Sequence, residues 1–141
     1  MNEPQSNVIS NNHFIFVNGP KTWKQAQSYC REHYTDLAIV RNQAENDLLN
    51  SMTQNSFTWI GLYGDRNSWR WSLEKKDSNS EGEAEFRMWK PGEPSNERGY
   101  ENCAGMAAGG FWEDWLCTDT AQFVCYHIFT VKELAIFLKV H

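Results

Sequence analysis

Four cysteines, Cys30, Cys103, Cys117 and Cys125, constrain this chain of 141 residues more than any other feature. None forms the Cys-x-x-Cys pair that structural zinc sites and thioredoxin-like redox centres require, so zinc chemistry is not expected. An even number at wide spacing suits two disulfides and an oxidising, extracellular setting, although four cysteines allow three connectivities. The competing arrangement is four reduced, buried thiols in a cytosolic protein. Either needs a core, and seven Trp, five Tyr and eight Phe supply one. With 40% hydrophobic and 22% charged residues, the chain reads as one folded domain and not as a disordered one.

Neither end carries a membrane span. The longest apolar run there, Leu134 to Leu138, falls far short of the roughly 20 residues that cross a bilayer. The first seven residues lack the basic flank and apolar stretch of a secretory signal. An export signal is therefore expected to have been removed or to lie outside this sequence.

The formal net charge is -5, which argues against nonspecific nucleic-acid binding because nothing offsets phosphate repulsion. The location of that charge is more informative. Between positions 91 and 120 one basic residue, Arg98, stands against six acidic ones: Glu93, Glu97, Glu101, Glu113, Asp114 and Asp119. That segment holds the whole excess, since the remaining residues balance at 12 against 12. Clustered carboxylates either spread into water or gather round a cation.

After a polar leader over 1–12, Phe14-Ile15-Phe16-Val17 reads as a strand ended by the turn signal Asn18-Gly19-Pro20. Thr22 and Gln25 form a capping-box pair ahead of a helix whose Trp23, Ala26, Cys30 and Tyr34 share one face. Leu37-Ala38-Ile39-Val40 is expected as a short strand. Asn42 with Glu45 caps a second helix with Ala44, Leu48, Leu49 and Met52 facing inward. From Phe57 the period changes, and Trp59-Ile60-Gly61-Leu62 and Trp69-Arg70-Trp71 read as strands rich in aromatics. Residues 74–110, rich in Gly, Ser, Asn and Glu, are expected to be irregular, a length that a compact domain keeps for function. Phe111-Trp112 and Phe123-Val124-Cys125-Tyr126 supply closing strands. The domain is expected over 13–127, followed by a tail, 128–141. There Thr130 and Glu133 cap a short helix with Leu134, Phe137 and Leu138 on one face, expected to pack back on the domain, with a linker towards a further module and a contact surface for a partner as the alternatives.

Several motifs in fixed order then carry a resemblance. They are Cys30 in the first helix, Trp59-Ile60-Gly61-Leu62, Trp89-Lys90-Pro91-Gly92-Glu93-Pro94-Ser95, Glu101-Asn102-Cys103, Trp112-Glu113-Asp114, Cys117 and Val124-Cys125. From about Phe14 to Tyr126 the chain resembles a C-type lectin-like domain. The resemblance implies an α+β fold with two helices flanking short antiparallel sheets and a long loop region for calcium and ligand. It also implies disulfides Cys30 to Cys125 and Cys103 to Cys117, in the short form without an extra N-terminal pair, and a cis peptide before Pro94.

Calcium takes six to eight oxygen ligands in irregular geometry and suits carboxylates on loops. Glu93, Glu101, Glu113 and Asp114 offer such a set, with Ser95 as a further ligand, and a Cys103 to Cys117 bridge would bring Glu101 close to Glu113 and Asp114. In the family, two neighbouring sugar hydroxyls coordinate the calcium, donate to carboxylates and accept from asparagine amides. Both amide positions differ here. Glu-Pro-Asn becomes Glu93-Pro94-Ser95, and Trp-Asn-Asp becomes Trp112-Glu113-Asp114. Ser95 can still donate at shorter reach, whereas ionised Glu113 only accepts. Each lost hydrogen bond costs about 0.5 to 1.5 kcal/mol, which weakens sugar binding by about tenfold unless another group substitutes. Asn96, Arg98 and Tyr100 are the nearby substitutes. Glu93 matches mannose-type members, where galactose-type members carry Gln-Pro-Asp. A second, auxiliary calcium site is not expected, because Asn96 and Asn102 occupy places that often carry acids.

The expected function is calcium-dependent binding of a carbohydrate or glycoprotein, with protein recognition by the same fold, calcium structural or absent, as the alternative. Trp59, Trp71, Trp89 and Trp112 read as core. His13, His33, His127 and His141 share no ligand or catalytic spacing. A thiol hydrolase would need a free cysteine beside a histidine, and neither a nucleophile elbow nor a phosphate loop is present, so no enzyme is expected.

Overall fold

The computed structural model describes residues 8–11, 13–65, 68–73, 85–96 and 102–140. The capping box at Thr22 forms: the Thr22 hydroxyl accepts from the Gln25 N–H, and the Gln25 side chain accepts from the Thr22 N–H. It starts α1 (Trp23–His33), which buries Trp23, Ala26, Gln27 and Cys30, with Tyr34 as its C-cap. Asn42 starts α2 (Gln43–Thr53) by accepting from the Glu45 N–H at 2.9 Å. The Glu45 carboxylate reaches back to the Arg41 N–H instead of closing the box on Asn42.

The inward face of α2 differs from expectation. Leu49 and Met52 are buried, but Ala44 is exposed, Leu48 is half-buried, and Asn46 and Thr53 take the inner positions. Hydrogen bonding explains the rotation. The Asn46 amide donates to the Gly110 carbonyl at 2.9 Å and accepts from the Trp112 indole N–H at 2.8 Å. Both are buried groups that require partners.

Among the described residues the strands join in one sheet of eight, with the order β1-β2-β8-β4-β6-β7, β3 on β8 and β5 on β4. The strands are β1 (Val8–Asn11), β2 (Phe14–Lys21), β3 (Asp36–Leu37), β4 (Thr58–Asp65), β5 (Ser68–Trp71), β6 (Asn102–Met106), β7 (Trp112–Leu116) and β8 (Ala121–Tyr126). Pairs run antiparallel except β4 with β8. β1, in the polar leader, pairs with β2. Asn18-Gly19-Pro20 does not end β2, because the register steps from Val17 opposite Phe123 to Lys21 opposite Ala121. The extra residues form a bulge, where a proline without an N–H is tolerated. β3 is shorter than expected, and beyond it Ala38 donates its N–H to the Val124 carbonyl at 2.9 Å.

β6 lies in the stretch expected to be irregular, and all five of its residues are buried. It lacks a run of large apolar side chains because close packing requires small ones. A Cβ on Gly105 would meet the Phe57 ring at 2.3 Å and the Thr58 carbonyl at 2.7 Å. β7 extends past Trp112 through Glu113 and Asp114, so these acids sit on a strand and not on a loop.

The core forms two clusters, one around Ile60, Leu62, Trp71 and Trp112, the other around Trp23, Cys30, Trp59 and Phe123. Trp89 is half-buried against the first. Cys30–Cys125 ties α1 to β8, and Cys103–Cys117 ties β6 to the residue after β7. No cysteine is free, which removes the reduced-thiol arrangement and the thiol hydrolase with it. The fold is α+β, as expected. The last helix, α3 (Val131–Val140), has its capping box, with Thr130 and Glu133 bonded reciprocally. It does not pack back as expected: Val131, Leu134, Ile136 and Leu138 are exposed. Val131, Leu134 and Leu138 share one face, and Ile136 lies off it. No helix among the described residues is long and apolar enough to cross a membrane.

Candidate functional site

The backbone of Met88 to Lys90 runs beside the start of β7. The Trp112 N–H donates to the Met88 carbonyl at 2.7 Å, and the Lys90 N–H donates to the Trp112 carbonyl at 2.9 Å. A tight turn follows, closed by the Glu93 N–H on the Lys90 carbonyl at 2.8 Å. Pro91 holds its second position and Gly92, with φ of 90°, its third. That pattern fits a type II turn, whose third residue needs the left-handed backbone glycine adopts freely. The turn delivers Glu93 beside Asp114. The Glu93–Pro94 peptide is cis, as the resemblance implies.

Two carboxylates converge on one donor. The Ser95 N–H faces Glu93 Oε1 at 3.0 Å and Asp114 Oδ1 at 3.1 Å, and the Ser95 hydroxyl donates to Asp114 Oδ1 at 3.2 Å. Asp114 Oδ2 accepts from the Asn96 N–H at 2.7 Å and from Asn102 Nδ2 at 3.1 Å, and Asn102 also bonds Asn96 Oδ1. The β6–β7 register sets this up, with Asn102 opposite Leu116 and Ala104 opposite Asp114.

Ionisation follows from the arrangement. Burial, the hydrogen bond to Asp114 and the Asp114 charge push the Glu93 carboxyl above the ordinary glutamate range, against the opposing pull of the Ser95 N–H. Burial also disfavours a charged Asp114, but the bonds it accepts from Glu93, Asn96 and Ser95 outweigh it and hold its carboxyl below the usual range. When the pair takes up a single proton, Glu93 is the carboxyl that carries it.

Glu113, the next residue on β7, is held differently. Its Oε2 lies 3.3 Å from Lys90 Nζ, and its Oε1 accepts from the Trp115 indole N–H at 3.2 Å. Glu93, Ser95, Glu113 and Asp114 all line one cavity of about 640 Å³, together with Asn102 and Asp119. Asn96 joins through its backbone N–H. Glu101, Arg98 and Tyr100 lie outside the described residues.

Lys90, Asn102, Trp115 and Asp119 were not expected as site residues. Lys90 and Asn102 lie within the motifs that carry the resemblance, which is the signal that marks them. The contacts of Trp115 and Asp119 follow only from the fold.

Among the described residues no three His, Cys, Asp or Glu side chains form a metal-holding group. The donors that do converge are hard oxygens, from the Glu93 and Asp114 carboxylates and the Ser95 hydroxyl, with the Glu113 carboxylate on the same cavity. That chemistry fits calcium and not a soft metal.

Residues 19–127, more than half of the chain, match the family model described as the lectin C-type domain. The chain is 31% identical over 117 residues to mouse C-type lectin domain family 10 member A, covering 79% of this chain and 37% of that protein. It is 32% identical over 114 residues to chicken hepatic lectin, covering 79% of this chain and 53% of that protein. Bovine L-selectin is 32% identical over 114 residues, with 76% and 30% covered. The chain thus spans about a third to a half of the length of these three relatives. Among solved structures, the cow CD23 carbohydrate-recognition domain superposes with a TM-score of 0.70 at 25% identity, covering 92% of this chain and 99% of that one. The mouse scavenger receptor C-type lectin carbohydrate-recognition domain gives 0.70 at 20% identity, covering 89% and 98%, a likeness of fold. With its two disulfides, its cis Glu93–Pro94 and its match over 19–127, the chain belongs to the C-type lectin domain family.

Proposed function

We infer that the domain binds carbohydrate through a calcium ion held by Glu93, Ser95, Glu101, Glu113 and Asp114, in an extracellular setting, as a binding module and not an enzyme. The observation that carries this reading is the convergence of the Glu93 and Asp114 carboxylates on the single Ser95 N–H, facing one cavity. Two carboxylates so close disfavour each other's charge, and a divalent cation relieves that repulsion. When bound, the ion supplies coordination positions for a pair of sugar hydroxyl oxygens. Around it Asp114 is oriented by the Asn96 N–H and the Asn102 amide, so its oxygens are fixed before any ligand arrives. Ser95 offers a hydroxyl as donor, and the Glu93 carboxylate accepts from a sugar hydroxyl. The structure of cow CD23 is described in the presence of a GlcNAc2Man3 oligosaccharide, which with Glu93 in the mannose-type position favours mannose-like diols. Two disulfides support the extracellular placement.

One observation favours a second reading, recognition of a protein surface with calcium structural or absent. Both Glu113 oxygens are already engaged, by Lys90 and by Trp115. Retention on mannose-agarose and galactose-agarose, with calcium and with a chelator, separates the two. Calcium-dependent retention on either matrix is the expected result. Calorimetric calcium uptake without retention on either matrix transfers the domain to the second reading.

A further inference from the structure

The carbohydrate reading leaves a deficit at position 113. An amide there would give an oxygen to the ion and an N–H to a sugar hydroxyl, but an ionised glutamate has acceptors only. A donor stands beside it. Lys90 Nζ lies 3.3 Å from Glu113 Oε2, while the Lys90 side chain stays 56% exposed and that of Glu113 21%. An ammonium carries three N–H donors, and a single carboxylate contact leaves the others facing outward.

We propose that Lys90 and Glu113 together perform the work of one amide, the carboxylate as acceptor and the ammonium as the N–H donor to a hydroxyl of a bound neutral sugar. This rests on the carbohydrate reading and adds Lys90 as a residue that determines what the site accepts. The lysine is fixed from both sides of its backbone, its N–H on the Trp112 carbonyl and its carbonyl under the Glu93 N–H. The Trp115 indole N–H holds the other Glu113 oxygen, so the carboxylate that orients the ammonium is itself oriented. Of the three substitutes expected from sequence, only Asn96 is among the described residues. It turns its N–H to Asp114 and its Oδ1 to Asn102.

The test uses whichever monosaccharide matrix retains the wild-type domain in calcium. Lys90→Met, Lys90→Arg and the double variant Lys90→Met with Glu113→Asn are compared there, and calcium affinity is measured by calorimetry. Lys90→Met is expected to lose about tenfold or more in sugar affinity with no fall in calcium affinity. Lys90→Arg keeps retention, and Glu113→Asn restores it to the Lys90→Met background, because the amide then supplies both functions. Equal retention of Lys90→Met and wild type overturns the proposal and leaves the carbohydrate reading standing. So does a double variant no better than Lys90→Met. A wild-type domain held by neither matrix overturns the carbohydrate reading, and this proposal with it.

Discussion

Glu93 and Asp114, delivered by a turn and by a strand, present their carboxylates to the same Ser95 N–H at 3.0 and 3.1 Å. The sheet places Asp114 and the Lys90-to-Glu93 turn places Glu93. Their proximity pushes the Glu93 carboxyl above the ordinary range, while the bonds Asp114 accepts hold its own below.

Calcium and a proton compete for Glu93, so calcium affinity should rise with pH through the raised Glu93 range, and uptake within that range should release protons. Titrations from the ordinary glutamate value of about 4.3 up to neutrality, in buffers of different ionisation enthalpy, measure both. Equal affinity across that range with no proton release contradicts the pairing.

Metal-free stability has the opposite trend for Glu93. A raised carboxyl contributes stability that is present below the ordinary glutamate value and lost as pH rises through the raised one. Asp114, depressed, contributes stability present above the ordinary aspartate value and lost as pH falls through its lowered one. Together they place the pair's largest contribution near about pH 4. Both side chains are partly exposed, so the effect is small. Urea unfolding in chelator against pH is the measurement, and a contribution that climbs steadily towards neutrality is the contrary result.

Asn46→Leu should destabilise the domain by about 1–3 kcal/mol. It strips the Trp112 indole N–H and the Gly110 carbonyl of their partner in the core. Chemical denaturation measures it, and a change below a few tenths of a kcal/mol would show that the clamp between α2 and β7 is dispensable.

Gly105→Ala should cost about 1–3 kcal/mol by overpacking. The added methyl meets both the Phe57 ring and the Thr58 carbonyl, and the latter is backbone that cannot rotate away. An unchanged denaturation midpoint would refute the close approach of β6 to β4.

Ser95→Asn restores an amide where the family carries one. Retention on the sugar matrix should strengthen by up to about tenfold, read as elution volume in calcium. Weaker retention would mean that the serine hydroxyl suits this ligand better than an amide.

Local chemistry made much of this legible. Capping at Thr22, Asn42 and Thr130 marks the three helix starts. What remained hidden depends on partners distant in sequence. Asn46 scores as polar and outward until Trp112 and Gly110 are known to need it. β6 lacks an apolar run because Phe57 and Thr58 leave no room beside Gly105. The engagement of Glu113 by Lys90 arises only when Trp112 is bracketed by Met88 and Lys90. Helix α3 shows the reverse case, in which a correct cap and an apolar stripe form a helix whose Val131, Leu134 and Leu138 stay exposed.

Calorimetric titration of calcium into the wild-type domain and into the double variant Glu93→Gln with Asp114→Asn tests the account most directly. The wild type should fill a saturable site and the double variant should show none. A wild type that takes up no calcium, or a double variant with undiminished affinity, would contradict it.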